Sequence, residues 1–123
     1  MENEVRLIGN VGKDPEVRAI SQDASVTNFT LGTSKSWKDK NGQWQSKSEW
    51  HNIEIWGDRW ARYCSEKIKK GDKVYIKGEI NYKEFEKDGV KRKSTVIKAD
   101  KITLLSTGKK EEIEETQEDS IPF

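Results

Sequence analysis

Apolar residues recur at every second position in several short runs of this chain, and turn-forming pairs separate the runs. The stretch from Val74 to Ile80 alternates in this way, which is the period of a strand with one buried face. Asn41-Gly42 and Asp88-Gly89 lie between such runs and are strong signals for hairpin turns. The pattern predicts an all-β domain with one helix.

Five strands are expected along the chain. The first is broken by Gly9 and Gly12, which indicate a bend or bulge in a tightly curved strand. The fourth continues into a hairpin arm through Tyr82 and Phe85. The predicted strands cover residues 5–20, 26–37, 44–56, 74–85 and 91–104.

The hairpin between the second and third strands predicts where the tryptophans lie. A two-residue turn at Asn41-Gly42 would set Trp37 opposite Ser46 and on the same face as Trp50 and Trp56. The same register would turn Phe29 and Leu31 away from a core that contains Ile53 and Ile55. We therefore expect a one-residue bulge near Gly32 that returns Phe29 and Leu31 to the core.

A helix is predicted between the third and fourth strands, over residues 58–70. Asp58 is the candidate N-cap and Gly71 follows the expected end. Trp60, Cys64 and Ile68 are spaced by four residues, so they share one face of the helix and are predicted to be core residues.

Five strands with a helix between the third and fourth have the element order of the oligonucleotide/oligosaccharide-binding fold, a small β-barrel. The predicted fold class is therefore an all-β, five-stranded OB-fold barrel with one helix. The fold alone does not select a ligand, since such barrels bind sugars, nucleic acids and proteins.

The charge of the chain is divided unevenly. Residues 1–108 hold 21 basic and 16 acidic residues, whereas residues 109–123 hold 2 basic and 6 acidic residues and no periodic apolar pattern. We predict an OB-fold domain over residues 1–106 and a disordered acidic tail over residues 107–123. A mildly basic body favours a polyanionic partner.

Cysteine and histidine content limits the possible chemistry. Cys64 is the one cysteine and His51 the one histidine, so neither an intrachain disulfide nor a zinc cluster of cysteines or imidazoles is expected. His51 is read as structural. The N-terminus carries Glu2 and Glu4 and no apolar run, so neither a signal peptide nor a membrane segment is expected and a cytoplasmic location is predicted.

Five tryptophans fall between Trp37 and Trp60, in a chain of mean hydropathy −0.99. Large aromatic side chains outside a small core favour a contact surface, and bases of single-stranded nucleic acid stack on such surfaces beside lysines that contact phosphates. Trp50 and Trp56 are assigned to this surface together with Trp37, while Trp44 is left undecided. The alternative is that the tryptophans fill a subunit interface, where this residue is also enriched.

Several motifs together resemble the bacterial single-stranded DNA-binding protein family. They occur in the family's order over nearly all of residues 4–105 and at the C-terminal tip: GNVGKDPEVR (9–18), TSKSWKDK (33–40), SEWHNIEIWG (48–57), KKGDKVYIKGEI (69–80) and EDSIPF (118–123). The resemblance implies an OB-fold that assembles as a homotetramer and wraps single-stranded DNA around itself. It also places His51 near a subunit contact.

The same resemblance implies which residues bind DNA. The stacking residues would be Trp37, Trp50, Trp56 and, on the hairpin arm, Phe85, which is smaller than the family's usual tryptophan and should stack more weakly. The matching basic residues are Arg6, Arg18, Lys35, Lys70 and Lys83. Asn52 stands where the family often has a basic residue, and the arm before Phe85 contains Asn81, Tyr82 and Glu84 where the family is often richer in arginine. Two phosphate contacts are therefore expected to be missing.

The tail tip joins acidic residues to an apolar end, which suits a hydrophobic pocket with a basic rim. By resemblance, replication and repair proteins would bind it through Asp119, Ile121, Pro122 and Phe123. No catalytic arrangement is recognised in the sequence, so we predict no enzyme activity, no cofactor and no metal. Two alternatives remain, an OB-fold primosome or accessory protein and a purely structural interaction module.

Overall fold

The computed structural model describes residues 1–108. It contains six strands and one helix in the following order: β1 Val5–Val11, β2 Glu16–Ser21, β3 Ala24–Lys38, β4 Trp44–Trp56, α1 Asp58–Lys67, β5 Lys73–Lys87 and β6 Val90–Ser106. The broken first strand of the sequence prediction is thus two strands, β1 and β2, and the predicted fold class is confirmed. The predicted acidic tail from Lys109 onward lies outside the described residues.

The strands form one sheet that closes on itself. Their order is β1-β5-β6-β4-β3-β2, and a further pairing joins β1 to β3. The closing pair is short, with Asn10 opposite Gly32 and Val11 opposite Leu31. β4 and β6 run parallel, while the other pairs are antiparallel. Because β1 pairs with both β5 and β3, the strands form the ring of a small barrel.

The register of the β3–β4 hairpin differs from the predicted one. Trp37 lies opposite Gln45, not Ser46, and the pairing continues without a shift from Lys38 opposite Trp44 to Val26 opposite Trp56. The predicted bulge near Gly32 is therefore wrong. No bulge is needed, because this register already pairs Phe29 with Ile53 on the core face.

The turn explains the shift in register. Asp39 and Gln43 close it through the Asp39 N–H, which donates to the Gln43 carbonyl at 2.9 Å, so three residues form the loop instead of two. Gly42 adopts the left-handed conformation with φ +79°, as a three-residue loop requires. The Asp39 carboxylate accepts the backbone N–H groups of Asn41 and Gln43, each at 2.9 Å. The Gln43 bond is the main reason that the pKa of Asp39 is lowered.

The helix is shorter than predicted. It ends at Lys67 instead of Lys70, and Ile68 has an extended conformation. Gly57, with φ 116°, occupies the N-cap position that was assigned to Asp58. Asp58 lies in the first turn, where its negative charge suits the helix N-terminus.

The core lies inside the barrel and under the helix. Its fully buried side chains include Phe29, Leu31, Ile53, Ile55, Cys64, Ile68, Val74 and Ile76. Trp60 packs against this core and meets Tyr63 edge to face, with ring centroids 5.6 Å apart, as predicted for a core-facing residue. Burial raises the pKa of the Cys64 thiol to about 11, so it is protonated and unreactive at neutral pH.

Two hairpin ends extend beyond the barrel. One is the outer half of β3–β4, and the other is the arm formed by the end of β5 and the start of β6. The arm turns at Asp88 and Gly89, both with positive φ, so the predicted two-residue turn is confirmed. Among residues 1–108, no helix is long and apolar enough to span a membrane.

Candidate nucleic-acid interface

Trp50 lies on the outer face of the barrel, and two glycines leave room for its indole. It is directly opposite Gly32 on β3. A methyl group at Gly32 or at Gly12 would lie 2.7 Å from Cζ3 of Trp50, well inside contact distance. The ring therefore packs on backbone on one side, and the side chain still remains 60% exposed. A flat aromatic surface held in this way is available for stacking.

Trp56 is on the same face as Trp50, six residues further along β4. Its indole Nε1–H donates to Oε1 of Glu54 at 2.8 Å. Lys83, from β5, places its ammonium 2.7 Å from Oε2 and 2.9 Å from Oε1 of the same carboxylate. Glu54 is thus a buried acid that connects an exposed aromatic ring to a basic side chain on another strand.

Arg18 joins this face through strand register. It lies opposite Val26 on β3, and Val26 lies opposite Trp56 on β4. Directly opposed residues of neighbouring antiparallel strands point to the same side of a sheet, so Arg18 and Trp56 flank Val26 on one face. We call the surface of Trp50, Asn52, Glu54 and Trp56, with Arg18 and the glycines, the barrel face.

A cleft of about 220 Å³ opens on the barrel face beside Asn52 and Glu54, and Phe29, Ile53 and Val96 form the apolar part of its lining. Amide and hydroxyl groups from Asn28, Thr30 and Asn52 line it, with the charged groups of Lys13, Glu54 and Lys83. These side chains offer both donors and acceptors to a ligand that crosses the face. Asn52 thus contributes a neutral amide to this cleft.

Trp37 lies on the opposite face of the β3–β4 hairpin. The observed register places it on the side of Phe29, His51 and Ile53, so the prediction that it shares a face with Trp50 and Trp56 is wrong. Beyond the barrel this side is open, and Trp37 is 42% exposed. We call this surface the hairpin face.

Lys35 accompanies Trp37 on the hairpin face. Lys47 is directly opposite Lys35, and the two lysines, with Thr33, Trp37 and Glu49, line a groove of about 180 Å³. Two cations directly opposite each other repel, so an anion between them would be favourable. Glu49 relieves part of this repulsion through an ion pair with Lys47 at 3.1 Å.

Phe85 lies near the end of the β5–β6 arm and is 45% exposed. It is two residues from Lys83, so the two side chains share one face of the strand. Arg92 is directly opposite Phe85 on β6 and offers a cation beside the ring. The arm thus extends the aromatic and basic character of the barrel face.

The two remaining predicted basic residues lie apart from the tryptophans. Arg6 is on β1, opposite Lys77, and forms a 3.5 Å ion pair with Glu4. Lys70 follows the helix, where its backbone N–H donates to Asp14 at 2.8 Å. Asp14 lies in the β1–β2 loop that also contains Gly12, so Lys70 is near the edge of the barrel face. Among the described residues, no contact connects Arg6 to the barrel face.

Trp44 is at the outer end of the hairpin and is 70% exposed. The Lys38 ammonium lies 5.7 Å from the centroid of its ring, within the range of a cation–π contact. His51 contacts Thr33 through Nε2 at 3.0 Å, in keeping with its structural interpretation.

Sequence reasoning did not select Glu54, Lys13, Asn28, Lys47 or Arg92 as site residues. A signal for Glu54 was present, because an acid between two isoleucines has the same parity as Trp50 and Trp56. The Lys83 contact joins residues 29 positions apart, and no local pattern reveals such a pair. Arg92 required the register of the arm.

The comparisons with known proteins agree with this arrangement. The OB-type barrel with exposed aromatic and basic surfaces defines a class of nucleic-acid-binding domain. A model of the Single-strand binding protein family matches residues 2–105. The chain belongs to this family. The name of the family agrees with the predicted binding function of the matched residues. Residues 1–108 contain no cluster of side chains suited to a metal ion.

Two curated relatives illustrate the similarity. Single-stranded DNA-binding protein 1 of Chlorobaculum tepidum is 42% identical over 105 residues, which is 84% of this chain and 64% of the relative. The single-stranded DNA-binding protein of Neisseria meningitidis serogroup A is 39% identical over 104 residues, 84% of this chain and 59% of the relative. The chain thus spans about three fifths of the length of these relatives.

Solved structures show the same fold. An SSB of Plasmodium falciparum, in complex with ssDNA, superposes with a TM-score of 0.79 at 24% identity. The superposition covers 86% of this chain and 97% of the Plasmodium chain. A deletion mutant of the single-stranded DNA binding protein from Thermus aquaticus gives a TM-score of 0.73, also at 24% identity. This superposition covers 85% of this chain and 51% of the Thermus chain.

Proposed function

We propose that this protein binds single-stranded DNA without sequence preference and protects it during replication, recombination and repair. The observation that carries the proposal is the Trp50 indole, which packs on the backbone of Gly12 and Gly32 and leaves its outer surface open beside Trp56. An unpaired base can stack on such a ring whatever its identity, since every base has an aromatic face. Duplex bases already stack on one another and have no free face to offer.

The proposed path of the strand crosses both surfaces. On the barrel face, bases stack on Trp50 and Trp56 and then on Phe85 of the arm. On the hairpin face, the strand reaches Trp37 and Lys35, since a flexible polymer can pass around the narrow end of a two-stranded hairpin. The phosphates are contacted by the basic residues of the prediction, Arg6, Arg18, Lys35, Lys70 and Lys83.

The resemblance of the sequence motifs to the family supports a proposal for assembly and recruitment. We propose a homotetramer, which would bring several such surfaces together so that one strand can wrap around them. The division into a binding domain over residues 1–106 and an acidic tail over residues 107–123 is part of the same proposal. Asp119, Ile121, Pro122 and Phe123 would bind replication and repair proteins in the bacterial cytoplasm, at the nucleoid.

A titration of oligo(dT) followed by tryptophan fluorescence, repeated over a series of salt concentrations, tests the proposal. Stacking should quench the fluorescence, and the affinity should fall as salt rises because each phosphate that is neutralised releases counterions. Duplex DNA of the same length is the control and should bind much more weakly. Absence of quenching up to millimolar oligonucleotide would contradict the proposal and favour a structural interaction module.

A further inference from the structure

Glu54 is an unusual residue for a surface that binds a polyanion. Its side chain is only 4% exposed, while its neighbours on the same face, Trp50 and Trp56, are open to solvent. A buried carboxylate is costly unless its oxygens are satisfied. Both oxygens of Glu54 are used, one by Trp56 and Lys83 together and the other by Lys83 alone.

We propose that Glu54 is a positioning residue for DNA binding, which orients the Trp56 indole and removes the charge of Lys83 from the salt-dependent part of the affinity. This inference rests on the proposed function, since it concerns how two of the proposed DNA contacts are held. Glu54 itself does not touch the DNA.

The orientation of Trp56 depends on its single N–H group. Indole has one donor and no acceptor, so a bond from Nε1 to Oε1 of Glu54, at 2.8 Å, fixes which edge of the ring points into the protein. The opposite edge and the open ring face then point outward. Trp56 remains 40% exposed, and because the bond already fixes its ring, the ring can stack on a base with little further loss of rotational freedom.

The charge of Lys83 is balanced before DNA arrives. Its ammonium nitrogen lies 2.7 Å from Oε2 and 2.9 Å from Oε1 of Glu54, and it donates a hydrogen bond to Oε1. An ammonium has three N–H donors, so a donor remains for a phosphate, and the side chain is 52% exposed. The pair carries no net charge, however, so the contact adds a hydrogen bond with little release of counterions.

Two variants test the charge balance in oligo(dT) titrations between 50 and 200 mM salt. Glu54→Gln keeps the shape and an acceptor for Trp56 but leaves Lys83 unbalanced. The slope of log affinity against log salt should become steeper by about 0.7, the value for one phosphate on a single strand. Between 50 and 200 mM salt, the affinity of Glu54→Gln should therefore fall by about 2.5-fold more than that of the wild type. The double variant E54Q/K83Q should return to the wild-type slope.

Glu66→Gln is the matched control, because it removes one negative charge from the exposed surface of α1. Its slope should equal that of the wild type. An unchanged slope in Glu54→Gln would overturn the charge assignment. If Glu54→Gln does not fold, the slope of E54Q/K83Q is compared with that of the wild type alone. An equal slope supports the charge balance, whereas a slope shallower by about 0.7 would show that Lys83 acts as a free cation in the wild type.

The orientation of Trp56 is tested by comparing Glu54→Gln with Glu54→Leu. Both are neutral, but leucine has no acceptor for the indole N–H. Glu54→Leu should bind about fivefold more weakly than Glu54→Gln at the same salt, the effect of one hydrogen bond. In a Trp56→Phe background, which lacks the donor, this difference should disappear. A difference that persists there would contradict the orienting role.

These outcomes separate the two proposals. If the wild type fails to bind oligo(dT), the proposed function fails, and the role of Glu54 in DNA binding, which rests on it, is rejected as well. If the wild type binds, but Glu54→Gln has the wild-type slope and the fivefold difference persists in the Trp56→Phe background, the function stands and only the role of Glu54 is rejected.

Discussion

The β3–β4 hairpin has two halves that are built from the same two strands. In the inner half, Phe29 pairs with Ile53 and both are buried in the barrel, while Trp50 packs on glycine backbone on the other side. In the outer half, Lys35 pairs with Lys47 and both faces are open to solvent. Trp50 is thus positioned by tertiary packing, whereas Trp37 depends on the register of the strands and on the turn.

This difference divides the proposed DNA surface into a preorganised part and an adaptable part. The barrel face has a ring that is held by neighbouring backbone and a second ring that is held by Glu54. The hairpin face has a ring beside two lysines that repel each other. Binding to a preorganised surface costs less conformational entropy, so residues of the barrel face should contribute more affinity than those of the hairpin face.

The largest effect is expected from Trp50→Ala. Loss of one stacking platform removes about 2 kcal/mol, and oligo(dT) affinity should fall about 30-fold. Titration by a fluorescently labelled oligonucleotide avoids dependence on tryptophan emission. Leu105→Ala, at an exposed position of β6, is the control and should bind as the wild type does. An affinity loss smaller than that of Trp37→Ala would contradict the ranking of the two faces.

Gly32→Ala should produce the next largest effect. Its new methyl group would lie 2.7 Å from the Trp50 ring, so the ring must move from its position. We expect a loss of about 1.5 kcal/mol of binding free energy, below that of deleting the ring. In a Trp50→Ala background the same substitution should have almost no further effect on binding, because the ring it displaces is absent. Additive losses would show that Gly32 acts by another route.

Trp37→Ala should cost less, about 1 kcal/mol of binding free energy. Trp37 and Trp50 lie on opposite faces of the hairpin, so the loss should add to that of Trp50→Ala. A double-mutant cycle in oligo(dT) affinity measures this. A coupling above about 0.5 kcal/mol would indicate that the two rings hold the same base and would break the two-face description.

The smallest effect is expected at acid pH, where protonation of Asp39 should weaken the β3–β4 turn. The pKa of Asp39 is lowered, chiefly by the bond from the Gln43 N–H, so the carboxylate stabilises the turn above the ordinary pKa of an aspartate. This stabilisation is lost as the pH falls through the lowered pKa. At neutral pH, the amide protons of Asn41 and Gln43 should be better protected from hydrogen exchange in the wild type than in Asp39→Asn. This difference in protection should become smaller as the pH is lowered. Equal protection in both proteins at neutral pH would contradict this role of Asp39.

Local patterns predicted the elements well, and they failed where distant contacts or side-chain chemistry decided the outcome. The bounds of β4 agree with the prediction, because apolar and polar residues alternate near its end and glycine-containing turns lie on both sides of it, at Asn41-Gly42 and at Gly57. The turn itself was misjudged. Asn-Gly suits a two-residue loop, but the Asp39 side chain captures two N–H groups and favours a loop with one more residue.

That one residue reversed the face of Trp37, since the side chains of a strand alternate. The conflict with Phe29 and Leu31 was the sign that the assumed turn was wrong, and a bulge at Gly32 was the wrong remedy. Gly32 instead makes room for Trp50. The pairing of Glu54 with Lys83 could not be predicted, because the β5–β6 arm approaches β4 only in the folded barrel.

In the proposed binding mode, single-stranded DNA contacts both faces of the β3–β4 hairpin. The five indole N–H resonances of the protein, assigned by single substitutions, report on both faces in one spectrum. On addition of oligo(dT), the resonances of Trp50, Trp56 and Trp37 should shift or broaden, while that of the core-facing Trp60 should stay in place. Shifts confined to Trp50 and Trp56 would contradict the two-face account.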